Sequence, residues 1–453
     1  MKIPEELIEK YNVPAPRYTS YPTVPYWEEE KLNESDWLSV VKQTFNESNQ
    51  TQGISLYVHL PYCESLCTYC ACNTRITKNH AVEDTYINAV LAEWDIYIKT
   101  FEQTPILREV HLGGGTPTFF SPENLNKLLS QIYSKSLLHP LFECSFEGHP
   151  NNTNLDHLEV LYNLGSRRVS FGVQDLNFKV QKTINRVQPF ENVLKATEDA
   201  RKIGFKSVNF DLIYGLPFQT VTSVKDTIAS VIQLKPERIA FYSYAHVPWK
   251  RPGQRAYTEA DLPDNSYKRE LYEEGKKLLT DNGYIDVGMD HFALPNDPLY
   301  KAYQTKSMHR NFMGYTHATT DLLIGLGSSA VSDAKYAYAQ NAKHVEDYKE
   351  KIGNGKLALE KGHFLSDEDL LMRKIMLEIT CNGELCWTST PNWLTLNMLI
   401  QLNTMHEEGL LRLYPTGFRL TDLGMAFLRN ICMVFDKRLT EFKSEQQMFS
   451  KAI

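Results

Sequence analysis

Cys63-Glu-Ser-Leu-Cys67-Thr-Tyr-Cys70 places three thiols within eight residues of chain. Three thiolates on one tight loop can hold three irons of a cubane 4Fe-4S cluster, which leaves the fourth iron without a protein ligand. That open corner is where chemistry can occur. A structural zinc site would draw four closed ligands from two separated pairs, and no second CxxC follows downstream. Cys72 could add a fourth thiolate, giving structural zinc or a saturated cluster, so that reading stands beside the first. Half of the eight cysteines fall between 63 and 72. Such crowding suits metal ligation in a reducing compartment, the cytoplasm, and not a disulfide scaffold.

Other residues could serve a ligand at the same place. Gly113-Gly114-Gly115 ends an apolar run, and without side chains its backbone can approach an amino-acid moiety closely. Glu147, at a strand end, could pair with a substrate ammonium or be a solvated loop charge. Asp211 sits in Asn209-Phe-Asp211-Leu-Ile, where a charge needs a partner such as a ribose hydroxyl or the guanidinium of Arg186. His59, His111 and His246 lie on predicted strands and read as satisfied core histidines outside any metal site. Lys250, Arg251 and Arg255 read as a solvent-facing basic stretch.

The elements that must hold these residues alternate. Strands are expected at 55–60, 110–113, 144–147, 168–173, 207–212, 238–244 and 285–289. Helices intervene: Val82, Tyr86, Val90 and Trp94 recur every four residues, and Ser121-Pro122 is an N-cap followed by proline at the first helical position. Six or so strand–helix units in succession predict an α/β fold, a partial (βα)6-type TIM-like barrel. Barrel residues span 51–300, and a connecting segment at 301–360 is expected to complete the site. Residues 1–50, with Pro14, Pro16, Pro22 and Pro25, read as an irregular arm or lid. From 361 to 453 the texture is mainly helical. There a helix at 396–408 and a hairpin turning at 415–417 suggest a winged-helix-like unit, read as packing and not as DNA binding because Glu407, Glu408 and Asp422 undercut any basic patch.

CxxxCxxC after the first strand, with Tyr69 before the last cysteine, resembles the radical S-adenosylmethionine superfamily. Pro16-Arg-Tyr-Thr-Ser-Tyr-Pro22, His111-Leu-Gly-Gly-Gly-Thr-Pro-Thr118, Asp211-Leu-Ile-Tyr-Gly-Leu-Pro217, Met289-Asp-His-Phe292 and His309-Arg-Asn-Phe312 narrow this. Nearly end to end, they resemble the oxygen-independent coproporphyrinogen III oxidase family. The resemblance implies a 4Fe-4S cluster on Cys63, Cys67 and Cys70. It implies one S-adenosylmethionine contacted by Tyr57, Gly114, Glu147 and Val331, with Tyr57 and Glu147 in catalytic positions. A second S-adenosylmethionine would meet Tyr69, Gly115, Thr116, Gln174, Arg186, Asp211 and Ala245. The implied reaction is radical decarboxylation of the ring A and B propionates of coproporphyrinogen III to vinyls, giving protoporphyrinogen IX in haem biosynthesis. Arg17 and Arg310 would pair with propionates, and a flavodoxin- or ferredoxin-type donor would supply electrons. Three departures from the family's pattern are Ala71 where glycine is usual, Gly148-His149 where an apolar residue and Asp are common, and Gly-Tyr-Thr-His-Ala-Thr-Thr at 314–320, which differs from the commoner form.

Relatives of the same superfamily give other readings: a haem chaperone, which usually lacks Cys72 and the Pro16–Pro22 arm, or a haem-degrading methyltransferase. A structural metal-binding module is the non-enzymatic alternative. The formal net charge of −7 argues against nucleic acid as a partner. No apolar run approaches the roughly 18 residues of a membrane span, so no membrane is expected. The chain is expected to act as a monomer.

Overall fold

The computed structural model describes residues 3–28, 32–387, 391, 393–441 and 449–452. Two helices, α1 (Glu5–Tyr11) and α2 (Glu34–Ser48), precede the first strand. Twelve strands then form one sheet: β1 (Ile54–Leu60), β2 (Ile106–Gly114), β3 (Leu137–Gly148), β4 (Ser166–Gln174), β5 (Ser207–Tyr214), β6 (Arg238–Ser243), β7 (Ile285–Gly288), β8 (His291–Ala293), β9 (Leu323–Leu326), β10 (Val331–Asp333), β11 (Ala337–Asn341) and β12 (Leu359–Phe364).

The strands β1 to β6 pair in parallel in chain order, and β9 adds a seventh parallel strand beside β1. Parallel strands are covered on both faces, which is why β1, Ile-Ser-Leu-Tyr-Val-His-Leu, is mostly apolar and buried along nearly its whole length. The cover comes from α3 (Val82–Thr100), α4 (Pro122–Ser134), α5 (Leu155–Asn163), α6 (Phe178–Thr183), α7 (Phe190–Ile203), α8 (Val221–Leu234) and α9 (Asn265–Asp281). Ser121 caps α4 as expected, its hydroxyl accepting from Asn124 N. Antiparallel strands extend both margins, β10–β12 beyond β9 and the β7–β8 hairpin beyond β6. Among the described residues β7 and β12 do not pair, so the barrel is partial.

The strand expected at 285–289 forms as β7 at Ile285–Gly288 on the margin of the sheet, and the chain turns back antiparallel through Met289 and Asp290. One reading needs correction. The arm is not irregular throughout, because Pro14, Pro16, Pro22 and Pro25 lie between the two helices and Pro4 precedes the first. Asn33 caps α2 through Asp36 N, and Trp37, Val41 and Phe45 at helical spacing are fully buried in the main core. The first helix joins a second core with Tyr18, Tyr21, Met372, Leu402 and Phe435.

That second core belongs to the C-terminal region, reached through α10 (Pro298–Gln304) and α11 (Val345–Gly353). It contains α12 (Asp367–Asn382), α13 (Leu396–Glu407) and a three-stranded sheet of β13 (Glu384–Cys386), β14 (Leu411–Tyr414) and β15 (Gly417–Leu420). The predicted hairpin is β14–β15. Arg429 ties both termini to this region: its guanidinium donates to the carbonyls of Ala15, Pro16, Lys451 and Ala452.

Candidate active site

Side chains at the C-terminal ends of the parallel strands enclose a cavity of about 580 Å³. The loop after β1 contributes Cys63, Cys67, Tyr69, Cys70 and Cys72; β2 and its turn contribute Gly114, Gly115 and Thr116. Glu147 comes from β3, Gln174 from β4, Asp211 from β5 and Tyr242 from β6, while Arg186 follows α6. This is the face on which barrel enzymes assemble their chemistry.

Backbone hydrogen bonds fix the cysteine loop. Gly115 N donates to Leu60 O at 2.8 Å and Thr116 N to Tyr62 O at 3.1 Å, so the glycine turn and the loop's root are stitched together. Farther along, Thr68 N donates to Ile184 O and Asn185 Nδ2 to Leu66 O. Burial pushes the Cys63 thiol up to about 11, partly offset by the Thr116 hydroxyl 3.3 Å away. The Cys70 thiol is held low, at about 6, by its bond with Cys72 and by the positive charge of Arg186, and Cys72 is pushed up in return. Four thiols thus face this space.

Arg186 is the cationic wall. Its Nη2 donates to Gly172 O at 2.6 Å, its Nη1 lies 3.6 Å from Cys67 Sγ, and its Nε is buried without a partner among the described residues. The expected pairing of Arg186 with Asp211 is not formed. Asp211 instead accepts from the Ser170 hydroxyl at 3.3 Å, and burial, reinforced by the charge of Glu147, pushes its carboxyl up to about 7. Gly172 had not stood out as a site residue, yet a Cβ there would lie 2.6 Å from Gln174 Nε2 and 2.8 Å from Arg186 Nη2. Gln174 itself has φ of +66°, strain that places its side chain at the strand's end.

Glu147 accepts from Gly114 N at 3.2 Å and lies 3.6 Å from His111 Nε2. A Cβ on Gly115 would lie 2.5 Å from Pro61 O and 2.9 Å from Tyr62 O, both backbone atoms that cannot swing aside. Gly115→Ala should therefore displace the root of the cysteine loop. An overpacking cost of about 2 kcal/mol, roughly 30-fold in kcat/KM, is expected, together with iron content below that of the parent after reconstitution. Parent-like iron and rate would show that the loop yields.

Tyr57, Ala245 and Val331 do not line the cavity, although Tyr57 and Ala245 connect to groups that do. Tyr57 lies against Gly113 and Glu147: a Cβ on Gly113 would meet the tyrosine ring at 3.0 Å and Glu147 Oε1 at 3.1 Å. The ring of His59 bridges Tyr57 to the cysteine loop. Its Nε2 donates to Asn73 O at 2.9 Å, which leaves Nδ1 to accept from the Tyr57 hydroxyl at 3.1 Å. Burial keeps His59 below its usual range, in agreement with a neutral ring. Ala245 connects to Tyr69 through Gln254, whose amide donates to both carbonyls. Val331 sits on β10 opposite Gln340.

A second, smaller cavity of about 80 Å³ shares Tyr242 with the first. It gathers Arg17 and Arg310, the two expected carboxylate partners, with Arg269, Lys276 and Arg429, against Asp286 and Asp290. Arg269 and Lys276 gave no sequence signal, because they lie on α9, where helix-surface charge reads as solvated; Arg429 opens Arg429-Asn-Ile-Cys432, a segment that also resembles the family. Lys250, Arg251 and Arg255 line neither cavity.

Residues 57–231 match the family model described as the radical SAM superfamily. An oxygen-independent coproporphyrinogen III oxidase of Escherichia coli (strain K12) is 36% identical over 454 residues, covering 99% of this chain and 98% of that protein. One from Pseudomonas aeruginosa is also 36% identical, over 99% and 98%. The chain belongs to the oxygen-independent coproporphyrinogen III oxidase family. A solved structure titled as coproporphyrinogen III oxidase from Escherichia coli, a radical SAM enzyme, superposes with a TM-score of 0.88 at 34% identity. It covers 96% of this chain and 99% of that one.

Membership implies a 4Fe-4S cluster and S-adenosylmethionine, and the cavity suits both. Three sulfur donors on one loop face the space, a thiol at about 6 lies beside a guanidinium, and the unpartnered Arg186 Nε offers a donor to an incoming acceptor. Among the described residues no three His, Cys, Asp or Glu side chains converge on a single ion. A cubane takes one sulfur per iron, so its ligands need not converge. Among the described residues no helix is long and apolar enough to cross a membrane.

Proposed function

We propose that this chain decarboxylates the ring A and B propionates of coproporphyrinogen III to vinyl groups, giving protoporphyrinogen IX, with Cys63, Cys67 and Cys70 holding the cluster. The observation that carries this reading is Tyr242, common to both cavities: a thiol-lined chamber adjoins a cationic one across one side chain. When bound, the cluster and S-adenosylmethionine supply a 5′-deoxyadenosyl radical that removes hydrogen from the propionate β-carbon. Each round would then release carbon dioxide and pass one electron to a separate electron acceptor, leaving the vinyl.

The chain's own residues bind, orient and exclude water. Gly114 and Glu147 form an amide and carboxylate pair suited to the amino-acid end of one S-adenosylmethionine, with Tyr57 and Val331 behind them. Tyr69, Gly115, Thr116, Gln174, Arg186, Asp211 and Ala245 are proposed for a second molecule. Arg17 and Arg310 are proposed to meet propionates. The arm acts as a lid: Arg17 enters the cationic cavity and donates to Ser243 O, while Ala15 N bonds Ser450 O at the far terminus. Electrons are proposed to come from a flavodoxin- or ferredoxin-type protein, and the chain to work as a monomer in the cytoplasm.

The test is anaerobic reconstitution with iron and sulfide, then reductant, S-adenosylmethionine and coproporphyrinogen III. A divinyl product and carbon dioxide in a two-to-one ratio to porphyrinogen are expected. Bound cluster with haem capture and no carbon dioxide would select the chaperone reading instead.

A further inference from the structure

Met289 and Asp290 join β7 to β8 as a two-residue hairpin, with φ of +35° and +70°. Two successive left-handed residues make the type I′ turn that two-residue hairpins favour, and its first position ordinarily takes Asn, Asp or Gly. A methionine there is strained, and strain of this kind persists where the surroundings hold it. Here His291 does so. Its Nδ1 donates to Met289 O at 2.8 Å, and its Nε2 is left to accept from Tyr242 OH at 3.4 Å.

The turn delivers Asp290 to the cationic cavity. The other carboxylate in that wall, Asp286, is satisfied by Lys276 Nζ at 2.6 Å and Gly288 N at 3.0 Å. The Asp290 carboxylate accepts no hydrogen bond among the described residues, although Arg17, Arg269 and Arg429 act on it by charge. Burial raises its carboxyl against their pull. The cations are not saturated either: Arg310 is 7% exposed, and its Nε and Nη1 have no partner among the described residues. An acceptor and donors thus stand unfilled in one cavity, and the ligand must bring both complements.

We infer that Asp290 accepts hydrogen bonds from the pyrrole N–H groups of the substrate macrocycle. This rests on the reading of the chain as a coproporphyrinogen oxidase. A porphyrinogen's carboxylates answer the arginines, and its only neutral-pH donors are four inward-facing pyrrole N–H groups. Its oxidised counterpart, coproporphyrin III, carries the same propionates on a planar ring with two N–H groups. Asp290 therefore selects the reduced macrocycle, which the cations alone cannot do.

The experiment uses the reconstituted enzyme, with bound tetrapyrrole separated by ultrafiltration and quantified after oxidation. Asp290→Asn should weaken coproporphyrinogen III binding roughly ten- to a hundredfold, since the amide keeps one acceptor oxygen but loses the negative charge and the second oxygen that the N–H groups would share. Coproporphyrin III binding should change far less, so preference for the reduced ring collapses, while the cluster's spectral response to S-adenosylmethionine stays as in the parent. Equal weakening of both ligands, or of neither, overturns the inference. If Asp290→Asn assembles no cluster, N-methylcoproporphyrinogen is offered to the parent enzyme. Roughly tenfold weaker binding than the unmethylated ligand supports the inference, and equal affinity overturns it. A parent enzyme that binds neither macrocycle removes the functional reading and this inference with it.

Discussion

Cys70→Ser is expected to abolish turnover, by at least ~1,000-fold in kcat/KM, while leaving the fold intact. Serine keeps the shape but an alcohol is not a cluster ligand near neutral pH. Cys70 closes the CxxxCxxC spacing and lines the cavity, where its bond with Cys72 and the charge of Arg186 hold its thiol low. Because it is only partly buried, the substitution leaves no apolar void. Cys72→Ser gives the contrast. Cys72 lies on the same wall but outside the CxxxCxxC spacing, so its removal should leave four irons and four sulfides per chain, with S-adenosylmethionine still perturbing the cluster's electron paramagnetic resonance signal. If instead Cys72→Ser loses iron and Cys70→Ser keeps it, the ligand trio has been misassigned.

The cluster loop was legible because its chemistry is local. Three thiols at fixed spacing carry their meaning in eight residues, as do the glycines that turn beside them. The parallel strands were legible for a similar reason: a short, mostly apolar run such as that of β1 has few other uses. What escaped was whatever depends on meeting partners far along the chain. The margins of the sheet, β9 to β12, are short strands whose identity comes from pairing with β1 and with one another. The proline-rich stretch masked α2, whose buried Trp37, Val41 and Phe45 announce a helix only when the prolines upstream are set aside. The cationic cavity draws on the arm, α9, two hairpins and the C-terminal region. No window of sequence contains it, and Arg269 or Lys276 alone looks like any surface charge. Even the pairing of Arg186 with Asp211 failed on distance: both face one chamber, yet the guanidinium turns to Gly172 O and the sulfur of Cys67.

Arg310→Met should lower kcat/KM for coproporphyrinogen III by about 100-fold, chiefly through KM, without lowering the melting temperature. The two expectations follow from one observation. Arg310 is buried on a short hairpin of residues 309–316, its Nη2 donating to Arg17 O at 3.2 Å and its guanidinium 4.7 Å from the centre of the Tyr315 ring. Two further donors, Nε and Nη1, are buried with nothing to bond among the described residues. A buried charge left this way opposes folding, so exchange for an apolar side chain of similar length should be neutral or stabilising. Natural chains keep such groups where binding needs them. A propionate entering the cavity would engage those donors, and losing one buried ion pair with a ligand costs about 2–5 kcal/mol, which brackets the expected change in rate. Arg310→Lys should recover only part of it, because an ammonium cannot present the planar fork that a carboxylate matches. Differential scanning fluorimetry beside steady-state kinetics reads both quantities. A variant that melts well below the parent and keeps its KM would make Arg310 a packing residue and leave the propionates to the other cations of the cavity.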